Sequence, residues 1–215
     1  MSPRRARAVS GLDGDPATAL REHLIDVAER LLSERQVSAI TTRDIARTAG
    51  VSDGVLYNYF ADKNDLLLTA LVRRYGRIVA RFEADLPQPG TATVEENLGA
   101  HARAMLDLQA DALPIAAGLI TEPALLRQLI DAIHREPLGP QRILHHVAGY
   151  IVGEQRLGRL PAVDVEAATT LLFGATIMLA FTNLMGGASR EDLARQLPAV
   201  VGTLVRGLDA PSPAP

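Results

Sequence analysis

The amino-acid sequence predicts an all-α protein of about nine helices, three in an N-terminal helix-turn-helix domain and the rest in a larger helical domain. Apolar residues recur at spacings of three and four through most of the chain. No run of useful length shows the period-two, β-branched alternation of a strand. The stretch "DIARTAGVSDGVLYNYF" sets two short apolar-periodic segments on either side of a glycine. That is the pattern of two helices joined by a tight turn.

The elements follow in order. Residues 1–16 are polar, carry Gly and Pro, and read as a disordered arm. From Thr18 the period turns helical: Leu24, Val27 and Leu31 repeat at three and four, and Ile25, Ala28 and Leu32 do the same one step round. Asp15 or Thr18 caps this helix, which is expected to end near Gln36. Thr41 or Thr42 suits the next N-cap, with Asp44 in the first turn. Ile45, Ala46 and Ala49 form its apolar face, and Gly50 stops it where a left-handed residue is wanted. Ser52 or Asp53 caps a third helix with Val55, Leu56 and Phe60 inside. Asp62 and Asp65 resemble a capping box for a long helix. "PQPGTA", Pro87 to Ala92, is a clear break. Helices are then expected over 93–110, 122–135, 140–157, 164–186 and 189–208, punctuated by Pro114, Pro123, Pro137, Pro140 and Pro161. Residues 209–215, "DAPSPAP", read as a frayed tail.

Composition narrows the function classes. The 215 residues are 47% hydrophobic and 22% charged, as in a globular chain of one or two domains. The lack of Cys excludes disulfides, thiol catalysis and Cys-ligated zinc. The net charge of −3 is uneven: residues 1–81 hold 13 Lys and Arg against 10 Asp and Glu, and the remainder holds 9 against 15. A mildly basic N-terminal part can approach a polyanion and an acidic remainder cannot. Ala167 to Ser189 is free of charge over about a bilayer's span. Its Thr169, Thr170, Thr176, Thr182 and Asn183, and the lack of a basic or aromatic belt, favour burial in a core or a subunit interface over a membrane.

The chemistry concentrates in "VSDGVLYNYFADKNDLL", Val51 to Leu67. The chain has four Tyr and four Phe, yet Tyr57, Tyr59 and Phe60 lie together here, with the sole Lys, Lys63, three residues on. In a helix-turn-helix the start of the second helix faces base edges. That puts Ser52, Asp53, Gly54 and Asn58 toward DNA, with the Tyr57 and Tyr59 hydroxyls within reach of phosphates. A cation in a helix's first turn opposes the helix dipole, so Lys63 is expected to share an anion with the helix start. Thr41, Thr42 and Arg43 begin the preceding helix and supply the opposing contacts.

The run "ITTRDIARTAGVSDGVLYNYFADKNDLL", Ile40 to Leu67, resembles the TetR family of bacterial transcriptional regulators nearly throughout. The resemblance implies phosphate contacts from Thr41, Thr42, Tyr57, Tyr59 and Lys63, with Arg43, Asn58 and Gly54 facing bases. Asp53 departs from the family pattern, where Lys or Arg is common. A carboxylate there repels phosphate, so it either caps the recognition helix or accepts from a cytosine amino group. The resemblance also implies a dimer on a palindromic operator in double-stranded DNA, a cytoplasmic, nucleoid-associated location, and repression relieved by an unknown small-molecule effector. An activator or architectural protein with the same head is the alternative.

The second domain, residues 65–208 after a DNA-binding domain over 17–64, is thus expected to bind the effector and to dimerise. The expected pocket residues are His101, Met105, Leu108, Leu119, His134, His146, Tyr150, Phe173, Ile177 and Asn183, a mix of apolar bulk and polar anchors. Two helices from each copy are expected to form a four-helix interface. Its stripes are Leu171, Leu172, Ala175, Leu179 and Thr182 on the first, and Leu193, Leu197, Val200, Val201 and Leu204 on the last. No enzyme, cofactor or metal is expected. Gly50 to Gly54 matches G-x-S-x-G, but that motif needs a strand-to-helix turn. The adjacent His145 and His146 diverge on a helix and lack ligand spacing. The remote alternatives are a membrane-associated helical protein and a serine hydrolase.

Overall fold

The structure, a computed structural model, describes residues 15–136 and 138–208. The expected tail and all but the last two residues of the expected arm lie outside them. Among the described residues the chain forms ten α-helices and one 3-10 turn, Val37–Ala39. The helices are α1 Pro16–Glu34, α2 Thr42–Ala49, α3 Asp53–Leu56, α4 Lys63–Ala84, α5 Val94–Gly118, α6 Pro123–Arg135, α7 Pro140–Arg156, α8 Val165–Leu184, α9 Arg190–Ala194 and α10 Leu197–Leu208. They divide into two compact units. One runs to Tyr75 and includes Ala116–Ile133; the other comprises Gly76–Ile115 and the chain from His134.

In the first unit α1 packs on α2 and α2 on α3. Leu24, Ile25 and Ala28 of α1, Ile45 and Ala46 of α2, Leu56 of α3 and Leu66 and Leu67 of α4 are all buried. Each such Leu or Ile contributes about 1.5–3 kcal/mol relative to exposure. Two polar devices close this core. The Arg21 guanidinium lies 5.1 Å from the centroid of the Phe60 ring, a cation–π contact. Arg73 of α4 holds three carboxylates of α1: Glu22 at 2.9 Å, Glu29 at 2.7 Å, and Asp26. These acids are spaced four and three apart, so they line one face of α1.

In the second unit α8 packs on α7, α9 and α10. Its inward face is Ala168, Thr169, Leu172, Thr176 and Ala180, small enough for close approach. The Thr169 and Thr176 hydroxyls donate to the carbonyls of Val165 and Leu172, four residues earlier, so burying them leaves no polar group orphaned. The "PQPGTA" break is latched to α7. Gly153 has no side chain, and a Cβ there would lie 2.4 Å from the Pro89 ring. One residue on, Glu154 accepts from the Gly90 N–H at 3.0 Å.

α1 begins at Pro16, whose fixed φ and missing N–H suit a first turn, with Asp15, one of the two expected caps, at the N-cap position. Two boundaries differ from the pattern. α5 continues through Pro114 to Gly118 instead of ending near residue 110. Pro114 is exposed there, and its ring removes a single intrahelical bond. The expected helix over 189–208 is two helices, because Pro198 has no N–H to continue the ladder from α9.

Candidate nucleic-acid interface

α2 begins in a complete capping box. The Asp44 N–H donates to Thr41 Oγ1 at 3.1 Å, and the Thr41 N–H donates to Asp44 Oδ2 at 3.2 Å. The Thr41 hydroxyl also donates to Asp44 Oδ2 at 2.6 Å. These Thr41 bonds, reinforced by Arg47 and Arg35, hold the Asp44 carboxyl below the usual range. Gly50 ends α2 with φ 70, the left-handed conformation that favours glycine. Beyond α3 the chain keeps winding: the Asn58 N–H donates to the Val55 carbonyl and that of Phe60 to the Leu56 carbonyl, both at 3.1 Å. This turns Leu56 and Phe60 inward and leaves Ser52, Asp53, Gly54, Tyr57 and Asn58 exposed.

Two contacts gather the starts of α2, α3 and α4. Arg43 Nε stands 3.9 Å from Asp53 Oδ2, linking the beginnings of α2 and α3. Lys63 Nζ donates to the Ile40 carbonyl at 2.9 Å, linking α4 to the approach of α2. Lys63 was expected to share an anion with its helix; here a carbonyl takes one of its three N–H donors. Asp53 occupies the first turn of α3, behind Ser52 at the N-cap, and its charge is balanced by Arg43. Of the nine residues expected to meet DNA, Thr41, Arg43, Ser52, Gly54, Tyr57 and Asn58 are exposed, and Thr42, Tyr59 and Lys63 are half-buried.

The expected effector residues are dispersed. His101, Met105, Leu108 and Tyr150 are buried in the second unit; His146, Phe173, Ile177 and Asn183 are half-buried there. His134 is exposed, and Leu119, though buried, belongs to the first unit. The Asn183 amide is engaged locally, donating to the Ala188 carbonyl at 3.1 Å. The His101 and Tyr150 rings lie 4.7 Å apart. Burial pushes the His101 imidazole below its ordinary value and outweighs its bond to the Asn97 carbonyl. Tyr150 donates to Glu154 Oε1 at 2.7 Å, and Arg159 Nε lies 3.1 Å from Glu154 Oε2. Burial alone would raise the Glu154 carboxyl; Tyr150, the Gly90 N–H and Arg159 together hold it low. Burial pushes the Tyr150 hydroxyl up, and Glu154 adds to that. A cavity of about 140 Å³ includes Leu108 with Ile78, Phe82 and Asp111. Another, of about 350 Å³, lies among Glu95, Gly99, Arg103, Leu197 and Val201.

The expected dimer stripes differ in burial along their length. Leu172, Leu193, Leu197 and Val201 are buried within the single chain, so their apolar surface is already spent. Ala175, Leu179, Thr182, Val200 and Leu204 are half-buried, and Leu171 is exposed. The large exposed apolar side chains of α8 and its C-cap are Leu171, Met178, Phe181 and Met185, at 65%, 63%, 49% and 69% exposure. Their spacings of seven, three and four make one continuous apolar seam. α8 is also long and apolar enough to cross a membrane by length and composition alone.

Residues 24–70 match the model of the family described as bacterial regulatory proteins, tetR family. The chain carries a TetR-family regulatory domain. The fatty acid metabolism regulator protein of Bacillus subtilis is 29% identical over 193 residues, covering 86% of this chain and 93% of that protein. The regulator AcrR of Shigella flexneri is 46% identical over 85 residues, 38% of this chain and 40% of that protein. The crystal structure of a TetR-family regulator from Mesorhizobium loti superposes with a TM-score of 0.75 at 19% identity, covering 90% of this chain and 98% of the other. That likeness extends the shared fold over the second unit.

The match gives residues 24–70 the DNA-binding helix-turn-helix of a bacterial transcription regulator. The Gly50–Gly54 stretch joins two helices, so it lacks the strand-to-helix turn of a nucleophile elbow. Among the described residues no group of three or more His, Asp or Glu is placed to hold a metal. Sequence reasoning missed Met178, Phe181 and Met185 on α8, and Gln109, Asn97 and Glu154 in the second unit. On α8 no signal favoured one face, because the helix is apolar all round. Buried polar side chains on α5 and α7 look in sequence like the surface polar positions of any amphipathic helix.

Proposed function

We propose that this TetR-family chain is a homodimeric repressor that occupies a palindromic operator in double-stranded DNA. A small-molecule effector bound in the second unit releases it, and it acts in the cytoplasm on nucleoid DNA. The observation that carries this reading is the exposed set at the gathered starts of α2, α3 and α4. Arg43 and Asn58 present donors for base edges, with Asn suited to adenine and Arg to guanine. Tyr57, Tyr59, Thr42 and the remaining N–H donors of Lys63 serve phosphates. The Thr41 hydroxyl is engaged in its cap, which leaves Thr41 the role of setting the start of α2. Doubling through the α8 seam would present two such heads to half-sites about one helical turn apart, or a multiple of that.

Release requires that the effector bind the form without DNA better than the DNA-bound form; tight binding alone shifts nothing. The near full-length likeness to a fatty acid metabolism regulator supports an effector of metabolic origin. The test is selection of bound fragments from random and genomic DNA by the purified chain. The reading expects an enriched palindrome with two spaced half-sites. Failure to enrich any sequence at low salt, from a folded sample, contradicts it.

A further inference from the structure

The second unit contains a buried polar group that nothing among the described residues satisfies. Gln109 of α5 is 2% exposed, and both its amide nitrogen and its amide oxygen lack a hydrogen-bond partner among the described residues. Buried polar side chains nearly always find partners, and an orphaned primary amide is costly at both ends. Leu or Met would fill a helical interior position without that cost. Glu154 Oε2, which also lacks a well-angled hydrogen bond, is different, since Arg159 neutralises it at 3.1 Å.

Gln109 is not isolated. His101, Met105 and Gln109 are spaced by four on α5, which makes them one ridge of the helix. All three are buried, at 2%, 0% and 2% exposure. His101 Nδ1 lies 2.9 Å from the Asn97 carbonyl, so Nδ1 carries the proton and Nε2 is left as an acceptor. The ridge therefore offers an acceptor at His101, an apolar thioether at Met105, and a donor and an acceptor at Gln109. It offers no net charge. His101 is held neutral by burial, and the nearby buried carboxylate, Glu154, is balanced by Arg159. An ionised ligand group placed on this ridge would meet no countercharge, and an unpaired buried charge is strongly disfavoured.

We propose that Gln109 is the polar anchor of the effector site, and that the effector is an uncharged, largely apolar molecule whose polar group both accepts and donates a hydrogen bond, as a carboxamide or a hydroxyl does. This rests on the reading that the second unit binds an effector, and it names the chemistry that site takes.

The test uses the full chain, melted alone and with octanamide, 1-octanol or octanoate at equal concentrations, beside a DNA-binding assay on the same sample. Octanamide and 1-octanol raise Tm, and octanoate binds at least about tenfold more weakly, the equivalent of one lost polar pairing. Gln109→Leu raises the Tm of the ligand-free chain, because the orphaned amide is gone, and weakens octanamide and 1-octanol by about tenfold, because their polar group has lost its pairing, while octanoate stays weak. Equal shifts from octanamide and octanoate, no shift from either uncharged probe, or a Gln109→Leu chain that binds octanamide as tightly as the unaltered chain would each overturn the inference. An amide satisfied by buried water alone gives the second of these results. If the probes fail while DNA binding persists, the anchor assignment falls and the regulator reading stands. If DNA binding is also absent, both fall.

Discussion

The end of the first unit proposed to meet DNA and the outer face of α8 are both exposed, and they are exposed in opposite ways. The first presents Arg43, Ser52, Asp53, Tyr57 and Asn58, side chains that water satisfies until DNA replaces it. The second presents Leu171, Met178, Phe181 and Met185, which water does not satisfy at all. A polar exposed face is stable in a monomer and gains specificity on binding. A continuous apolar seam of this kind marks an interaction surface. The chain thus carries one face that can wait for its partner and one that is poorly solvated without it.

The comparison can be broken from either side. The largest effect is expected in the core beneath the polar face. Leu56→Ala removes a fully buried side chain and lowers stability by about 2–5 kcal/mol. Denaturant unfolding checks this, and DNA binding is lost with it. On the apolar face, Phe181→Asp leaves helical content unchanged by circular dichroism. It weakens operator binding by about a hundredfold, a loss of roughly 3 kcal/mol, by separating the two heads. On the polar face, Arg43→Ala or Asn58→Ala relaxes base preference and costs about 1–3 kcal/mol at the position read. Lys63→Ala weakens all sequences alike and reduces the salt slope by about one unit.

A smaller effect sharpens the contrast inside the second unit. The folded pKa of His101 lies below its ordinary 6.5 because the ring is buried. Between the two values the unfolded chain binds the proton and the folded chain does not, so stability falls as pH drops through about 6.5. The slope from this group is at most about 1.4 kcal/mol per pH unit. Tm against pH for His101→Gln should be flatter over that window than for the unaltered chain.

The same contrast explains what the sequence disclosed. The head was legible because its signals are local. Thr41 and Asp44 stand at capping-box spacing, Gly50 sits where φ must be positive, and Leu56 and Phe60 share a face. Each of these is decided within four residues. The second unit was legible only as helices. α8 has nearly uniform hydropathy, so its sequence cannot tell Leu172, buried against its own chain, from Leu171, one position away and exposed. Gln109 and Glu154 escaped notice for a related reason: whether a polar residue on a helix is wet or buried depends on distant elements. Lys63 stands in the first turn of α4, and its contact with the carbonyl of Ile40, 23 residues earlier, could not be read from local spacing.

The central claim is that the α8 seam joins two copies whose heads together read DNA. Sedimentation equilibrium of the purified chain and of Phe181→Asp, each free and with a selected operator fragment, tests it most directly. The account predicts twice the 23.0 kDa chain mass for the unaltered protein, with and without DNA, and a single chain for the folded variant. An unaltered protein that sediments as one chain and still binds its operator at full affinity would contradict it.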